Sequence, residues 1–272
     1  MSELEELALW REACIATARE AGEAILEVYA QDFAVETKAD HSPLTAADLA
    51  AHRIIAMRLA ELTPHLPLLS EEGSQIPWSV RRQWPRYWLI DPLDGTREFV
   101  KRNGEFTVNI ALIENGVPVL GVVLAPALNY LVHAQRGLGC WLRQADGSDL
   151  ALTTRNPAAI PLRVAASRSH LDTRTQQVLA AMGEHERVGL GSSLKFCRLA
   201  EGRMDVYPRF GPTSEWDTAA GQCVLESAGG VVLDLVGAPF RYNRGESLLN
   251  PDFIALGDPN LPWRHWVDGL AG

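Results

Sequence analysis

The segment LIDPLDGT places the strongest local constraint on this chain. The apolar run Tyr87–Ile90 predicts a buried strand, and Pro92 follows two residues later. Proline has no backbone N–H and is not expected inside a central strand, so we predict that the strand ends at Ile90 and the chain turns. This turn would bring the carboxylates of Asp91 and Asp94 to the same side. Asp beside Gly and Thr is also typical of Asx turns and helix caps, so the motif alone leaves both interpretations open.

Three further acidic groups lie at predicted ends of secondary structure. Glu71 and Glu72 follow a short apolar segment, Asp48 completes a capping-box pattern that begins at Thr45, and Asp217 lies where a helix is predicted to begin. Each has an ordinary explanation as a solvated turn or a helix cap. Taken together, four acidic clusters at element ends predict a site for a divalent cation. Carboxylate oxygens suit Mg²⁺ or Mn²⁺ and not zinc.

Chain length and charge restrict the domain organisation and the ligands. With 272 residues and 47% hydrophobic content, the chain can bury a substantial core in one large domain or two closely packed lobes. Small polar residues dominate 144–159, so we predict a seam there, with lobes at 1–150 and 151–272. The formal net charge of -9 argues against binding to a DNA or RNA polymer.

The cysteines and the apolar runs predict the cellular compartment. The four cysteines are scattered, with no C-x-x-C pair, which argues against a structural zinc site and favours a reducing cytoplasm. The acidic N-terminus does not read as a signal peptide, and no apolar run approaches the roughly 18 residues of a membrane span. We expect a soluble, cytoplasmic protein whose oligomeric state the sequence does not indicate.

Apolar periodicity predicts three helices. One has an apolar stripe from Leu7 to Val28. A second runs from Thr45 to about Leu62, and its apolar positions are Leu49, Ile54, Met57 and Leu62. A third begins near Glu215 or Asp217 and stops at Gly229-Gly230.

Two more strands follow the one at Tyr87–Ile90. The segments Phe106–Ile113 and Val117–Leu124 are apolar, and the turn that joins them contains Asn115-Gly116. Because Asn-Gly is a strong hairpin signal, these two strands are predicted to pair antiparallel.

The acidic motifs in the order E-E, D-P-x-D-G-T and W-D-x-A-A-G resemble the inositol-monophosphatase superfamily of Mg²⁺-dependent, lithium-sensitive phosphomonoesterases. Within it, the segments RNGEFTVNIAL, ASRSH, GSSLKF and YPRFGP are similar to the CysQ-type branch, the 3'(2'),5'-bisphosphate nucleotidases. The resemblance implies an α/β (α+β) fold, a layered αβαβα sandwich of the inositol-monophosphatase and fructose-bisphosphatase type. Its first lobe would carry most metal ligands, and the second would close the substrate site.

The resemblance also implies a role for each motif residue. The expected metal ligands, for two or three Mg²⁺ with Mn²⁺ as a substitute, are Glu71, Asp91, the carbonyl of Leu93, Asp94 and Asp217. Asp48 and Thr96 match the pair that orients and deprotonates the attacking water, and Glu71 is expected to serve catalysis through the metal. The role of Glu72 is left open.

The implied substrate is a nucleotide bisphosphate. The expected reaction removes the 3'-phosphate of adenosine 3',5'-bisphosphate to give AMP, with the sulfated analogue as a further candidate, which links the protein to sulfur assimilation. Backbone N–H groups at a helix start commonly receive phosphate, which suits Gly95 and Thr96. The remaining expected substrate contacts are His170, Ser192, Lys195, Arg209 and Asp217.

Two other functions stay open at this stage. One is an inositol monophosphatase or another small sugar-phosphate phosphatase with the same metal chemistry. The other is a catalytically silent module that senses nucleotide or metal. The eight tryptophans also leave open a peripheral contact with the inner membrane, although scattered tryptophans usually serve packing.

Overall fold

Two separate β-sheets form the framework of the structure, a computed structural model that describes residues 2–32, 35–37, 43–73, 75–166 and 172–270. A small ladder of two antiparallel strands, β1 and β2, precedes them. The described strands are β1 Glu36–Thr37, β2 Pro43–Leu44, β3 Leu68–Ser70, β4 Arg86–Asp94, β5 Thr107–Glu114, β6 Val117–Ala125, β7 Tyr130–Gln135, β8 Gly139–Arg143, β9 Asp149–Ala151, β10 Leu162–Ala166, β11 His185–Gly189, β12 Val206–Arg209, β13 Val231–Asp234 and β14 Phe253–Leu256.

The two sheets differ in topology. The larger sheet contains seven strands, β3 to β9, in the order of the chain, and only its first pair, β3 and β4, is parallel. The smaller sheet has the order β11-β10-β12-β14-β13, with parallel pairing around β10 and antiparallel pairing around β14. The first sheet is therefore built largely from local hairpins and the second from crossovers.

Helices of very different lengths connect and cover these strands. The described α-helices are α1 Glu3–Tyr29, α2 Ala46–Leu62, α3 Trp78–Arg81, α4 Thr96–Val100, α5 Thr173–Met182, α6 Leu194–Ala200 and α7 Glu215–Ser227. Three short 3₁₀ helices also lie in the described part, at Glu71–Gly73, Pro126–Leu128 and Trp263–Trp266.

The elements stack in five layers. Helices α1 and α2 cover one face of the large sheet, and α6 and α7 lie between the two sheets. Helix α5 and the 3₁₀ helix Trp263–Trp266 cover the outer face of the small sheet. The order helix, sheet, helix, sheet, helix confirms the predicted αβαβα fold class.

Two glycines allow α7 to fit between its neighbours. A Cβ atom on Gly121 of β6 would lie 2.7 Å from the carbonyl oxygen of Ala220 and 2.8 Å from Cβ of Cys223. A Cβ on Gly221 would lie 2.4 Å from the ring of Phe196. Only glycine permits such close approach, so these positions hold the buried α7, and with it Asp217, against the large sheet.

The three predicted helices are confirmed, but the predicted apolar face of α2 is only partly right. Ile54 and Leu62 pack at the edge of the core. Leu49 and Met57 are 38% and 48% exposed, whereas Ala51, Ile55 and Leu59 are buried. The buried face of α2 packs on α1, and small side chains in both helices let them approach closely. Close packing against α1 therefore determines which face of α2 is buried, and the size of the apolar side chains does not.

The predicted hairpin is confirmed. Asn115 and Gly116 form the two-residue connection between β5 and β6, with φ of 50° and 77°. Two successive positive φ values are what a type I' turn requires, and Asn-Gly adopts them most readily.

The prediction that the strand ends before Pro92 is wrong. Strand β4 continues to Asp94, pairing Asp91 with Asn109 and Asp94 with Thr107 on β5, with an irregular register between these pairs. On the other side, β3 pairs with β4 only as far as Ile90. Strand β3 therefore needs no hydrogen bond from position 92, where proline has no N–H to donate. A bulge accommodates the proline within β4.

The described helices and the tryptophans bear on the question of membrane contact. None of the described helices has the length and apolarity that crossing a bilayer requires. All eight tryptophans lie in the described ranges, and each is buried or half-buried, so none is fully exposed.

Candidate active site

Three carboxylates from distant parts of the chain meet beside the end of β4. Asp91 and Asp94 flank the bulge in β4, and Asp217 lies in the first turn of α7. One oxygen from each lies within 4.8 Å of the others. The α7 helix is capped by Ser214, whose backbone N–H donates to Oδ2 of Asp217 at 2.8 Å and so fixes that carboxylate.

The cluster is electrostatically unfavourable without a cation. Burial raises the pKa of Asp91 well above its ordinary value, and the nearby Glu71, Asp94 and Asp217 raise it further. Asp217 keeps part of its surface open to the cavity, yet burial and then Asp94 raise its pKa to about 8. In the described part of the chain, Oδ2 of Asp91 is buried and has no hydrogen-bond donor. A divalent cation would neutralise this repulsion and supply the missing partner.

Two further oxygen atoms that could bind a metal lie beside the cluster. Glu71 begins the 3₁₀ helix directly after β3, the strand adjacent to β4. The backbone N–H of Leu93 donates to Oδ1 of Asp91 at 3.0 Å, and the carbonyl of Leu93 accepts from the Thr96 hydroxyl at 3.3 Å. The donor set consists of oxygen only, which fits Mg²⁺ or Mn²⁺.

Thr96 and Asp48 lie in contact at the side of this cluster. Oγ1 of Thr96 is 3.4 Å from Oδ1 of Asp48, which is buried. The other oxygen of Asp48 accepts from the backbone N–H and hydroxyl of Thr45, at 2.8 and 2.7 Å. Asp48 thus forms the predicted capping box with one oxygen and contacts Thr96 with the other.

The start of α4 faces the same region. Gly95 adopts the left-handed conformation with φ of 87°, and a Cβ there would lie 3.2 Å from the carbonyl oxygen of Glu105 and 3.3 Å from Cβ of Ser192. Both the conformation and the space favour glycine. The backbone can therefore come close to a ligand at this point.

A cavity of about 280 Å³ opens from the carboxylates. Asp94, Gly95 and Asp217 line it together with Lys195 and Arg209. Burial lowers the pKa of Lys195 to about 8, although Asp94 raises it. The cavity is thus lined by carboxylates and by basic side chains.

The side chains of Lys195 and Arg209 are held by hydrogen bonds to backbone carbonyls. Nζ of Lys195 donates to the carbonyls of Ser192 and Leu190 at 2.7 and 3.2 Å, and lies 5.2 Å from the ring centre of Tyr207. Arg209 uses Nε and Nη2 to bind the carbonyls of Gly211 and Pro212. Arginine has five N–H donors, so several remain for an anion.

Ser192 also lies at the cavity, while His170 lies outside the described residues. Ser192 has a positive φ of 44°, and its Oγ is buried without a hydrogen-bond partner in the described ranges. A side chain in this uncommon conformation with an unpaired hydroxyl suits a ligand contact.

Sequence analysis missed three buried polar residues behind the cluster: Thr107, Asn109 and Ser193. The backbone N–H of Ser193 donates to Oδ2 of Asp94 at 2.6 Å. The signal for the first two was present, because polar side chains inside the apolar strand TVNIALIE need a specific partner. That partner, Ser193, is far away in sequence.

The fold and this site define a mixed α/β protein with a candidate binding site for divalent cations beside a charged cavity. The chain belongs to the inositol monophosphatase family, whose model matches residues 6–258. Members of this family generally depend on Mg²⁺.

Individual relatives agree with this assignment. The chain is 52% identical to the 3'(2'),5'-bisphosphate nucleotidase CysQ of Escherichia coli strain K12 over 238 residues, which cover 87% of this chain and 95% of the relative. The crystal structure of CysQ from Bacteroides thetaiotaomicron matches with a TM-score of 0.79 and 42% identity, over 90% of this chain and 96% of the other. The suppressor protein suhB of Bartonella henselae matches with a TM-score of 0.78 and 26% identity, over 95% and 98%.

Proposed function

We propose that this protein is a Mg²⁺-dependent 3'(2'),5'-bisphosphate nucleotidase that removes the 3'-phosphate of adenosine 3',5'-bisphosphate to give AMP and phosphate. The observation that carries the proposal is a single cavity lined both by the carboxylates Asp94 and Asp217 and by the basic side chains Lys195 and Arg209. A substrate with two phosphates matches this combination, because the carboxylates suit metal-assisted chemistry on one phosphate and the basic side chains suit binding of the other. The 52% identity to CysQ over most of both chains supports the same substrate.

Asp91, Asp94, Asp217, Glu71 and the carbonyl of Leu93 would hold Mg²⁺, with two or three ions in each site and Mn²⁺ as a substitute. When bound, Mg²⁺ makes a water more acidic and stabilises negative charge on the phosphate and the leaving oxygen.

The roles of Thr96 and Asp48 follow from their contact. The Thr96 hydroxyl has one proton and lies within reach of two acceptors, the carbonyl of Leu93 and Oδ1 of Asp48. If the Leu93 carbonyl binds Mg²⁺, this proton goes to Asp48, so Thr96 can take a proton from the attacking water and pass its own proton to Asp48. The water oxygen bonds to phosphorus, the bond from phosphorus to the 3'-oxygen breaks, and that oxygen takes a proton from a solvent water, which regains one from Asp48. The backbone N–H groups of Gly95 and Thr96 would orient the reacting phosphate.

Lys195, Arg209 and Ser192 would bind the 5'-phosphate. The guanidinium of Arg209 offers paired donors that match phosphate oxygens. Three points remain predictions from the sequence. They are the role of His170, the boundary between the two lobes, and the cytoplasmic location with or without contact with the inner membrane.

Product analysis tests this proposal. Incubation with adenosine 3',5'-bisphosphate and Mg²⁺, followed by chromatography against both monophosphate standards, should give adenosine 5'-monophosphate as the single nucleotide product, and chelation of Mg²⁺ should stop its formation. Adenosine 3'-monophosphate as the product, or hydrolysis that persists in the chelator, would refute the proposal.

A further inference from the structure

Ser193 joins a metal-ligand carboxylate to two buried side chains on β5. Its backbone N–H binds Oδ2 of Asp94 at 2.6 Å, and its Oγ lies 2.6 Å from Oδ1 of Asn109 and 2.7 Å from Oγ1 of Thr107. The Asn109 oxygen can only accept, so the single hydroxyl proton of Ser193 goes to Asn109 and Thr107 donates to Ser193. The hydroxyl of Ser193 is therefore fully used within the protein.

The register of the large sheet explains why these contacts converge. Thr107 pairs with Asp94 and Asn109 pairs with Asp91 across the β4–β5 ladder. Residues 107 and 109 are two apart, so their side chains lie on the same face of β5. Ser193 contacts both of them, and with Thr107 and Asn109 it is at most 2% exposed.

The same residue belongs to the segment that supplies Ser192 and Lys195 to the cavity. Ser192 directly precedes it, and Lys195, two residues further on, binds the carbonyl of Ser192. Ser192 has a left-handed backbone, which for a residue with a side chain persists only where the surroundings hold it. The hydrogen bonds of Ser193 supply such a restraint.

We propose that Ser193 is a positioning residue that fixes the spacing between Asp94 and the cavity residues Ser192 and Lys195, by joining their segment to Asp94 and β5. Ser193 lines the cavity, but its hydroxyl does not bind substrate, because it is committed to Thr107 and Asn109. The inference rests on the proposed function, since the benefit of this spacing appears with a substrate that carries two phosphates.

Two substrates that differ by one phosphate test the inference. In Ser193→Ala, the ratio of kcat/KM for adenosine 3',5'-bisphosphate to that for adenosine 3'-monophosphate should fall about fivefold to tenfold, the factor of a typical hydrogen bond. Ala keeps the backbone N–H that binds Asp94, but without the hydroxyl bonds to Asn109 and Thr107 this N–H is held less firmly. The dissociation constant for Mg²⁺, measured by calorimetry, should therefore also rise.

Variants at Thr107 provide a second route if Ser193→Ala does not fold. Thr107→Val removes the hydroxyl that donates to Ser193 while keeping the shape of the side chain. The fall in the substrate ratio and the rise in the Mg²⁺ dissociation constant should both appear in weaker form. Thr107→Ser keeps a hydroxyl and should give values close to those of the wild type. Thr17→Val removes a buried hydroxyl that binds the carbonyl of Ala13 in α1, and it should lower only the melting temperature.

If Ser193 had a purely structural role, folded Ser193→Ala or Thr107→Val would show only a lower melting temperature. An unchanged ratio of kcat/KM for the two substrates would overturn the inference. An unchanged dissociation constant for Mg²⁺ would overturn it as well. If the wild-type protein failed to hydrolyse the bisphosphate, the proposed function would fail separately. The inference would then be decided by Mg²⁺ affinity and by the ratio of the dissociation constants for the two nucleotides.

Discussion

Asp91 gives the sharpest prediction, because its charge favours metal binding and opposes folding in the absence of metal. Its side chain is 1% exposed, Oδ2 lacks a donor in the described part of the chain, and two other carboxylates lie close by. Asp91→Asn keeps the shape and removes the charge. We expect it to abolish Mg²⁺-dependent hydrolysis and to stabilise the metal-free protein.

The separation of the charges sets the size of this stabilisation. At the 4.8 Å limit of the cluster, two unit charges repel by about 3.5 kcal/mol for an effective dielectric constant of 20. Proton uptake relieves part of this, since burial and the neighbouring carboxylates raise the pKa of Asp91. We therefore expect the variant to gain about 1–2 kcal/mol of unfolding free energy at neutral pH. For a chain of this size, that raises the melting temperature by about 2–8 °C.

The sign of the pH dependence follows from the direction of the shift. The folded-state pKa of Asp91 lies above its unfolded value, so the wild-type protein loses stability as the pH rises through the folded pKa. Asn does not titrate, so the difference in unfolding free energy between variant and wild type should widen as the pH rises above the ordinary pKa of an aspartate.

Thermal denaturation in a chelator, repeated with Mg²⁺, measures both effects. Mg²⁺ should raise the melting temperature of the wild type and leave Asp91→Asn almost unchanged. Asp146→Asn, in an exposed loop, serves as the control and should behave as the wild type. A folded Asp91→Asn protein that hydrolyses substrate at the wild-type rate, or that is less stable than the wild type without metal, would refute the reasoning.

Three other substitutions test separate parts of the structure. Arg209→Lys keeps the charge but loses the paired donors, so KM for the bisphosphate should rise about tenfold. KM for adenosine 3'-monophosphate should change less, and equal changes for the two substrates would contradict a contact with the 5'-phosphate. Thr96→Val should lower kcat about 10²–10⁴-fold with unchanged Mg²⁺ affinity by calorimetry, and an unaltered kcat would exclude Thr96 from proton transfer. Gly121→Ala should reduce the unfolding free energy in urea by about 1–3 kcal/mol because its Cβ meets the backbone of α7; a neutral effect would show that β6 and α7 can separate easily.

Local sequence signals predicted most elements that surround the site. The capping box at Thr45, the Asn115-Gly116 turn and the glycines after α7 each act over a few residues, and each marks an element boundary in the structure. The acidic residues at these boundaries were therefore recognisable as a set. Their meeting in space depends on the order of the sheets, which the family resemblance implied and local patterns did not.

The errors arise where tertiary packing overrides a local rule. Pro92 is tolerated inside β4 because β3 ends at Ile90 and a bulge follows, a feature of the neighbouring strand. The exposed Leu49 and Met57 show that close contact with α1 sets the buried face of α2. The partnership of Ser193 with Asp94 spans 99 residues and leaves no periodic trace in the sequence.

The most direct test of the central claim is Mg²⁺-dependent phosphate release from adenosine 3',5'-bisphosphate, compared with inositol 1-phosphate and fructose 1,6-bisphosphate, with and without lithium. The structure and the proposed function predict the highest kcat/KM for the nucleotide, loss of activity in a chelator, and inhibition by lithium. A higher kcat/KM for inositol 1-phosphate or fructose 1,6-bisphosphate would contradict the assignment of Lys195 and Arg209 to a second phosphate of a nucleotide.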